Sequence, residues 1–234
     1  MRHFAKEYNS RVAEIQNYFS FLEKIDSVET HKDSKLGLPK GGFVKINRAL
    51  QKILRSYCFL LLYNLIESTL SNGIIEIYDN IHDEKLNFDS ISEEFKKLWI
   101  GNKSKRLNDS SNESHIQKII KEIIEETNDL NEISFEKSRL SISGNLDFKT
   151  IEKIRIKYGF KSQVPNLNRK LLITTLNYIK SKRNYLGHGN ESFSKASELK
   201  TFKELSIMKD EVIIYLDSIV FSIDDLLKNK RFKK

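Results

Sequence analysis

Tyr57-Cys-Phe-Leu-Leu-Leu-Tyr-Asn-Leu-Ile-Glu-Ser68 is apolar nearly all the way round a helical wheel, and such a helix has to be covered on every side. The stretch therefore predicts one central buried helix, from about Val44 to Asp79, bent near Gly73. Its polar exceptions share a single stripe, since Asn64, Glu67, Ser68 and Ser71 fall at i, i+3, i+4 and i+7. A carboxylate on a buried helix is costly unless paired, so Glu67 calls for a cation.

The candidate lies far along the chain. Leu172, Leu176, Ile179, Arg183 and Leu186 follow the rhythm of one helix face, which places an arginine in register with core leucines. Arg183 is the natural partner for Glu67. The pair either anchors the core or orients an arginine for chemistry, and the two roles are compatible. Five residues on comes His188, bracketed by Gly187 and Gly189. On a continuous helix the two side chains would point about 140° apart. Gly187 can adopt the left-handed conformation that ends a helix, so the chain is expected to turn there and bring the imidazole towards the guanidinium.

The rest of the 234-residue chain reads as helical. Glycine (9) and proline (2) are both sparse, which argues against a turn-rich β fold. Helices are expected at about Phe4 to Val28, Ser90 to Trp99, Glu113 to Asn131, Phe148 to Tyr158 (capped by Asp147 and ended by Gly159), Leu167 to Leu186 and Ser206 to Leu227. The glycine-bearing stretch Glu29 to Gly42 lacks phosphate-loop spacing and reads as a flexible connector. The polar tract Asn102 to Asn112 reads as a mobile loop, and Ser138 to Asp147, which alternates weakly and includes Gly144-Asn145, as a small hairpin or irregular turn. Pro165 opens the approach to the motif helix. The expectation is one all-α domain over 1–234, with about 84–147 as a variable insert.

Function classes narrow by composition. The single cysteine, Cys58, suits a reducing cytosol, the N-terminus is too charged for a signal peptide, and the longest apolar run, Tyr57 to Ile66, is about half a membrane span. A cytoplasmic protein without a membrane partner is expected. Five scattered histidines and one cysteine offer no metal-binding spacing, so no metal or other cofactor is anticipated. The formal charge of +8 is concentrated between Lys149 and Arg183, where Glu152 is the single acid. That distribution points to a polyanion, with Arg169, Lys170, Lys180 and Lys182 as candidate RNA contacts. A guanidinium clamps phosphoryl oxygens, a histidine moves protons near neutrality, and RNA supplies its own 2′-hydroxyl nucleophile. Such a site can cleave RNA and offers little for DNA.

Arg183-Asn-Tyr-Leu-Gly-His-Gly189 resembles the R-x4-6-H signature of the HEPN superfamily. It looks closest to the MAE-type HEPN families of prokaryotic conflict systems. Phe59-Leu-Leu-Leu-Tyr-Asn-Leu-Ile-Glu-Ser-Thr69, Gly144-Asn-Leu-Asp147 and His188-Gly-x-x-Ser-Phe193 look like that group's blocks in the same order, so the likeness runs from about Leu50 onward. The resemblance implies an antiparallel all-α bundle that forms a homodimer with a composite site. It also implies a metal-independent endoribonuclease, a toxin or phage-defence effector, that leaves a 2′,3′-cyclic phosphate and a 5′-hydroxyl. By the same resemblance Arg183 would bind the scissile phosphate, His188 would be general acid–base, and Asn184 would orient substrate, with Glu67 and Asn64 in support. An antitoxin or regulatory protein is a further implied partner. Two positions depart from the pattern: Gly187 stands where alanine is more usual, and Asn190 where toxins silenced by adenylylation carry tyrosine. A non-catalytic HEPN module that binds RNA, nucleotide or protein is the alternative, and a purely structural helical partner is a third.

Overall fold

The computed structural model describes residues 2–26, 34–37, 39–128, 131–137, 140, 142, 145–160 and 167–234. Helix α1 spans His3–Asp26 and, of the face Val12, Ile15, Phe19, Leu22 and Ile25 that its spacing selects, buries all but Val12, which is half-buried. An antiparallel hairpin follows, β1 (Ser34–Gly37) and β2 (Phe43–Ile46), paired from Ser34 with Ile46 to Gly37 with Phe43. The expected flexible connector and the expected helical start at Val44 are thus both corrected. Gly41 and Gly42 have positive φ, +85° and +90°, and supply the turn that lets the strands pair. The rest of that connector, 29–33, lies outside the described residues.

Asn47 caps α2 (Arg48–Asp83) by accepting from the Leu50 N–H at 2.9 Å. This 36-residue helix is the centre of the molecule. It packs against α1, and also against α6 (Arg169–Gly187), α7 (Phe193–Ala196) and α8 (Phe202–Lys228). Its apolar circumference is therefore consumed: Cys58, Phe59, Leu62, Tyr63, Ile66, Leu70 and Ile74 are all fully buried. By length and composition alone α2 could cross a membrane, yet more than half of that stretch is core. Gly73 sets the approach of α8, because a Cβ there would lie 2.4 Å from Ile223 Cδ1. Burial also pushes the Cys58 thiol up to about 12, out of reach of ordinary thiolate chemistry.

α8 begins with a full capping box between Thr201 and Glu204 and buries Val212, Leu216, Ile219, Ile223 and Leu226, as its periodicity predicts. Between α2 and α5 (Phe148–Lys157) lie a 3₁₀ turn, Phe88–Ser90, and two helices, α3 (Glu93–Asn108) and α4 (Glu113–Thr127). Here the expected loop from Asn102 is corrected: α3 runs through it to Asn108. Lys103, 2% exposed, donates to Glu126 at 2.6 Å, and Trp99 Nε1 donates to the same carboxylate at 2.8 Å. Arg106 lies 3.0 Å from Glu136 and also pairs with Glu122. Basic residues one turn apart on α3 meet acidic residues one turn apart on α4, so a tract that looks solvated is folded by charge pairing. The expected turn at 138–147 falls largely outside the described residues, as does Pro165. With eight α-helices and one short hairpin among the described residues, the architecture is an all-α bundle.

Candidate functional site

Asn168 caps α6, accepting from the Lys170 and Leu171 N–H groups. Leu172, Leu176, Ile179 and Leu186 are buried along the predicted seam. At Arg183 the seam reaches the surface, and that side chain is 29% exposed. Its guanidinium lies over the Tyr63 ring, 4.6 Å from the centroid. Nη1 donates to Asn184 Oδ1 at 3.1 Å, and Nη2 stands 4.0 Å from Glu67 Oε2. The expected pair therefore forms, but it is long and open to water, with Glu67 26% exposed, and is not the buried ion pair anticipated.

Tyr63 is the residue that sequence reasoning assigned no role. It is fully buried, and its hydroxyl accepts from the Leu146 N–H at 3.1 Å. The next residue, Asp147, caps α5 through the Thr150 N–H at 2.8 Å and receives Lys180 Nζ at 3.0 Å. Burial raises the Asp147 carboxyl, but the Thr150 hydrogen bonds and Lys180 outweigh it and hold the group down at about 2. The signal for Tyr63 was its place one turn before Glu67 on the same face of α2. The Phe59–Thr69 block, the end of the Gly144–Asp147 block and the arginine of the motif thus meet at one place, through Tyr63, Leu146, Asp147 and Arg183.

The end of α6 departs from expectation. The helix continues through Gly187, and His188 is its C-cap (φ −96°, ψ 2°), with its N–H bonded to Asn184 O at 3.0 Å. Gly189, not Gly187, takes the left-handed conformation, at φ +71°. The Asn190 N–H reaches Tyr185 O at 2.9 Å and the Gly189 N–H reaches Leu186 O at 3.3 Å, the paired bonds of a Schellman end. A helix needs one left-handed residue to stop, and the second glycine supplies it. Beyond it the chain is held by Glu191, both of whose carboxylate oxygens lie 2.8 Å from Lys182 Nζ, and by Phe193 stacked on Tyr57. His188 is exposed and caps the helix, five residues and so about 140° of helical turn beyond Arg183.

Arg183, Asn184 and Glu67 are thus brought together, and among the described residues the His188 side chain makes no hydrogen bond or ion pair with them. Asn64 is exposed, and its side chain makes no hydrogen bond among the described residues. Of the candidate RNA contacts, Lys180 and Lys182 are occupied by Asp147 and Glu191. Arg169 is exposed over the Phe148 ring at 5.5 Å, and Lys170 is exposed without an ion pair among the described residues. No group of three or more His, Cys, Asp or Glu side chains among the described residues could hold a metal.

An arginine seated on a tyrosine of the central helix, one turn before the end of a basic helix capped by histidine, is what this all-α bundle sets at the motif. The model of the HEPN_MAE_28990-like HEPN family matches residues 2–232, and the chain belongs to that HEPN-type family. No curated protein and no solved structure matches it.

Proposed function

We propose that the protein is a metal-independent endoribonuclease, acting in the cytoplasm as a toxin or defence effector and assembled as a homodimer. The observation that carries this reading is the setting of Arg183, whose guanidinium is steadied by Tyr63 and Asn184 while still open to solvent. An arginine so held can clamp two phosphoryl oxygens as charge builds on them. The 2′-hydroxyl attacks the adjacent phosphorus and the bond to the 5′-oxygen breaks, leaving a 2′,3′-cyclic phosphate and a 5′-hydroxyl. A proton leaves the 2′-hydroxyl and one is delivered to the departing oxygen. His188, exposed at the helix end, serves as the general acid–base for this transfer. Because Arg183 and His188 of one chain diverge, the working site takes its arginine from one copy and its histidine from the other.

The test is cleavage of mixed RNA in the presence of EDTA, with end-group analysis. Wild type should yield cyclic phosphate ends, and Arg183→Ala and His188→Ala should each lose at least about 100-fold in rate while remaining folded. Intact RNA with folded, dimeric wild type would sink the proposal. The continuation of α6 past Gly187 favours a second reading, a binding module without catalysis. That reading predicts RNA binding that survives His188→Ala and no cleavage by any form.

A further inference from the structure

The basic residues nearest the motif in sequence are not the ones left free in the fold. Helices α5 and α6 carry nine basic side chains against one acid, Glu152. Lys180 is taken by Asp147, Lys182 by Glu191, and Arg155 by Glu152, which also accepts from the Tyr215 hydroxyl at 2.7 Å. Besides Arg183, and Arg169 and Lys170 at the start of α6, what remains is a strip on α5: Lys149, Lys153 and Lys157 are exposed, and no acid among the described residues pairs with any of them. They recur every four residues on one helix face, a step of about 6 Å each, comparable to one nucleotide step of an extended strand. Ile156, 78% exposed, lies on the same face and offers an apolar surface to a sugar or base.

The strip is tied to the arginine through short contacts. α5 starts at Asp147, which holds Lys180 of the motif helix at 3.0 Å. Leu146, just before it, donates to the hydroxyl of Tyr63, whose ring carries Arg183. A strand whose phosphate rests on Arg183 therefore finds the start of α5 beside it.

We infer that the Lys149–Lys153–Lys157 face of α5 is the backbone-binding track for a single-stranded RNA, holding phosphates next to the one at Arg183. This rests on the RNA reading of the site but not on its catalysis. The track is a phosphate reader and carries no base specificity, because lysine ammonium groups are point charges without a planar hydrogen-bonding fork.

The experiment uses the full chain and a fluorescein-labelled, mixed-sequence RNA with 2′-O-methyl groups, which binds but cannot be cut. Affinity is measured across a salt series. Lys149→Gln/Lys153→Gln/Lys157→Gln should flatten the slope of log K against log salt by about 2, since each single-strand phosphate contact contributes roughly 0.7. A control, Lys6→Gln/Lys97→Gln/Lys203→Gln, removes three exposed lysines of other elements that make no ion pair among the described residues, and should leave the slope unchanged. An unchanged slope in the α5 variant overturns the inference, and so does an equal loss in the control, which would assign the effect to net charge. If wild type cuts unmodified RNA while the α5 variant keeps its slope, the track fails and the ribonuclease reading stands. If nothing is cut but the slope falls, the track stands and the ribonuclease reading fails.

Discussion

Arg183 shows what a residue-level reading can weigh. A guanidinium over an aromatic face contributes about 0.5–2 kcal/mol, depending on how dry it is. An ion pair at 4.0 Å with both side chains more than a quarter exposed adds little. Tyr63, not Glu67, therefore fixes the arginine, and the carboxylate acts mainly as a soft counter-charge that a phosphate can displace. Asp147 is the residue whose charge matters more. Its carboxyl sits at about 2 in the fold against an ordinary 3.8, held down by Thr150 and Lys180 despite burial. A depressed carboxyl contributes stability that is fully present above the unfolded value and is lost as pH falls through the folded one. Asp147→Asn keeps the cap and removes the charge. It should cost about 1–2 kcal/mol by urea denaturation at neutral pH, and the gap from wild type should close between about pH 4 and pH 2. A gap independent of pH would show that the charge is not what Lys180 and Thr150 stabilise.

The element that most changes the picture is the end of α6. Sequence marks the region as a helix end because two glycines flank His188, but it does not say which one turns. The fold does, through the Glu191–Lys182 pair folded back on α6 and the Phe193–Tyr57 stack, the second of which depends on α2 and so is invisible to local spacing. The same limit hid the continuation of α3, where Lys103 and Arg106 look solvated until α4 brings Glu126 and Glu122 to them. By contrast, the long apolar faces of α1, α2, α6 and α8 were legible, since each buries the residues its period selects. The two glycines give a direct check. Gly187 is helical with nothing within 4 Å of an added Cβ, so Gly187→Ala should raise stability by roughly 0.5–1 kcal/mol and leave cleavage intact. Gly189 has φ +71°, so Gly189→Ala should lower it by about 1–2 kcal/mol. Thermal unfolding of both variants decides the matter, and the reverse order would restore the turn to Gly187.

Over the whole molecule, the bundle explains why the motif was readable and its working geometry was not. Tyr63 and Asp147, from two of the family blocks, and Arg183 of the motif come together because α2 is the common wall for α6 and, through the Leu146 N–H, for the start of α5. A spacing of five residues, however, says nothing about which chain's histidine serves which arginine. With α6 continuous to Gly187, the two side chains diverge by about 140°, so a site formed wholly within one chain would need the helix to unwind. A site shared between two copies needs no such change, since a two-fold axis presents the same surface twice. Complementation separates the possibilities. Arg183→Ala and His188→Ala homodimers should each be inactive. After co-expression, mixed dimers pair the intact arginine of one chain with the intact histidine of the other and rebuild one site of two. Random pairing makes half the dimers mixed, so the population should recover about a quarter of wild-type cleavage. Co-purified, folded heterodimers that remain inactive would mean that each chain supplies both groups of its own site, and that α6 must open at Gly187 before RNA is cut.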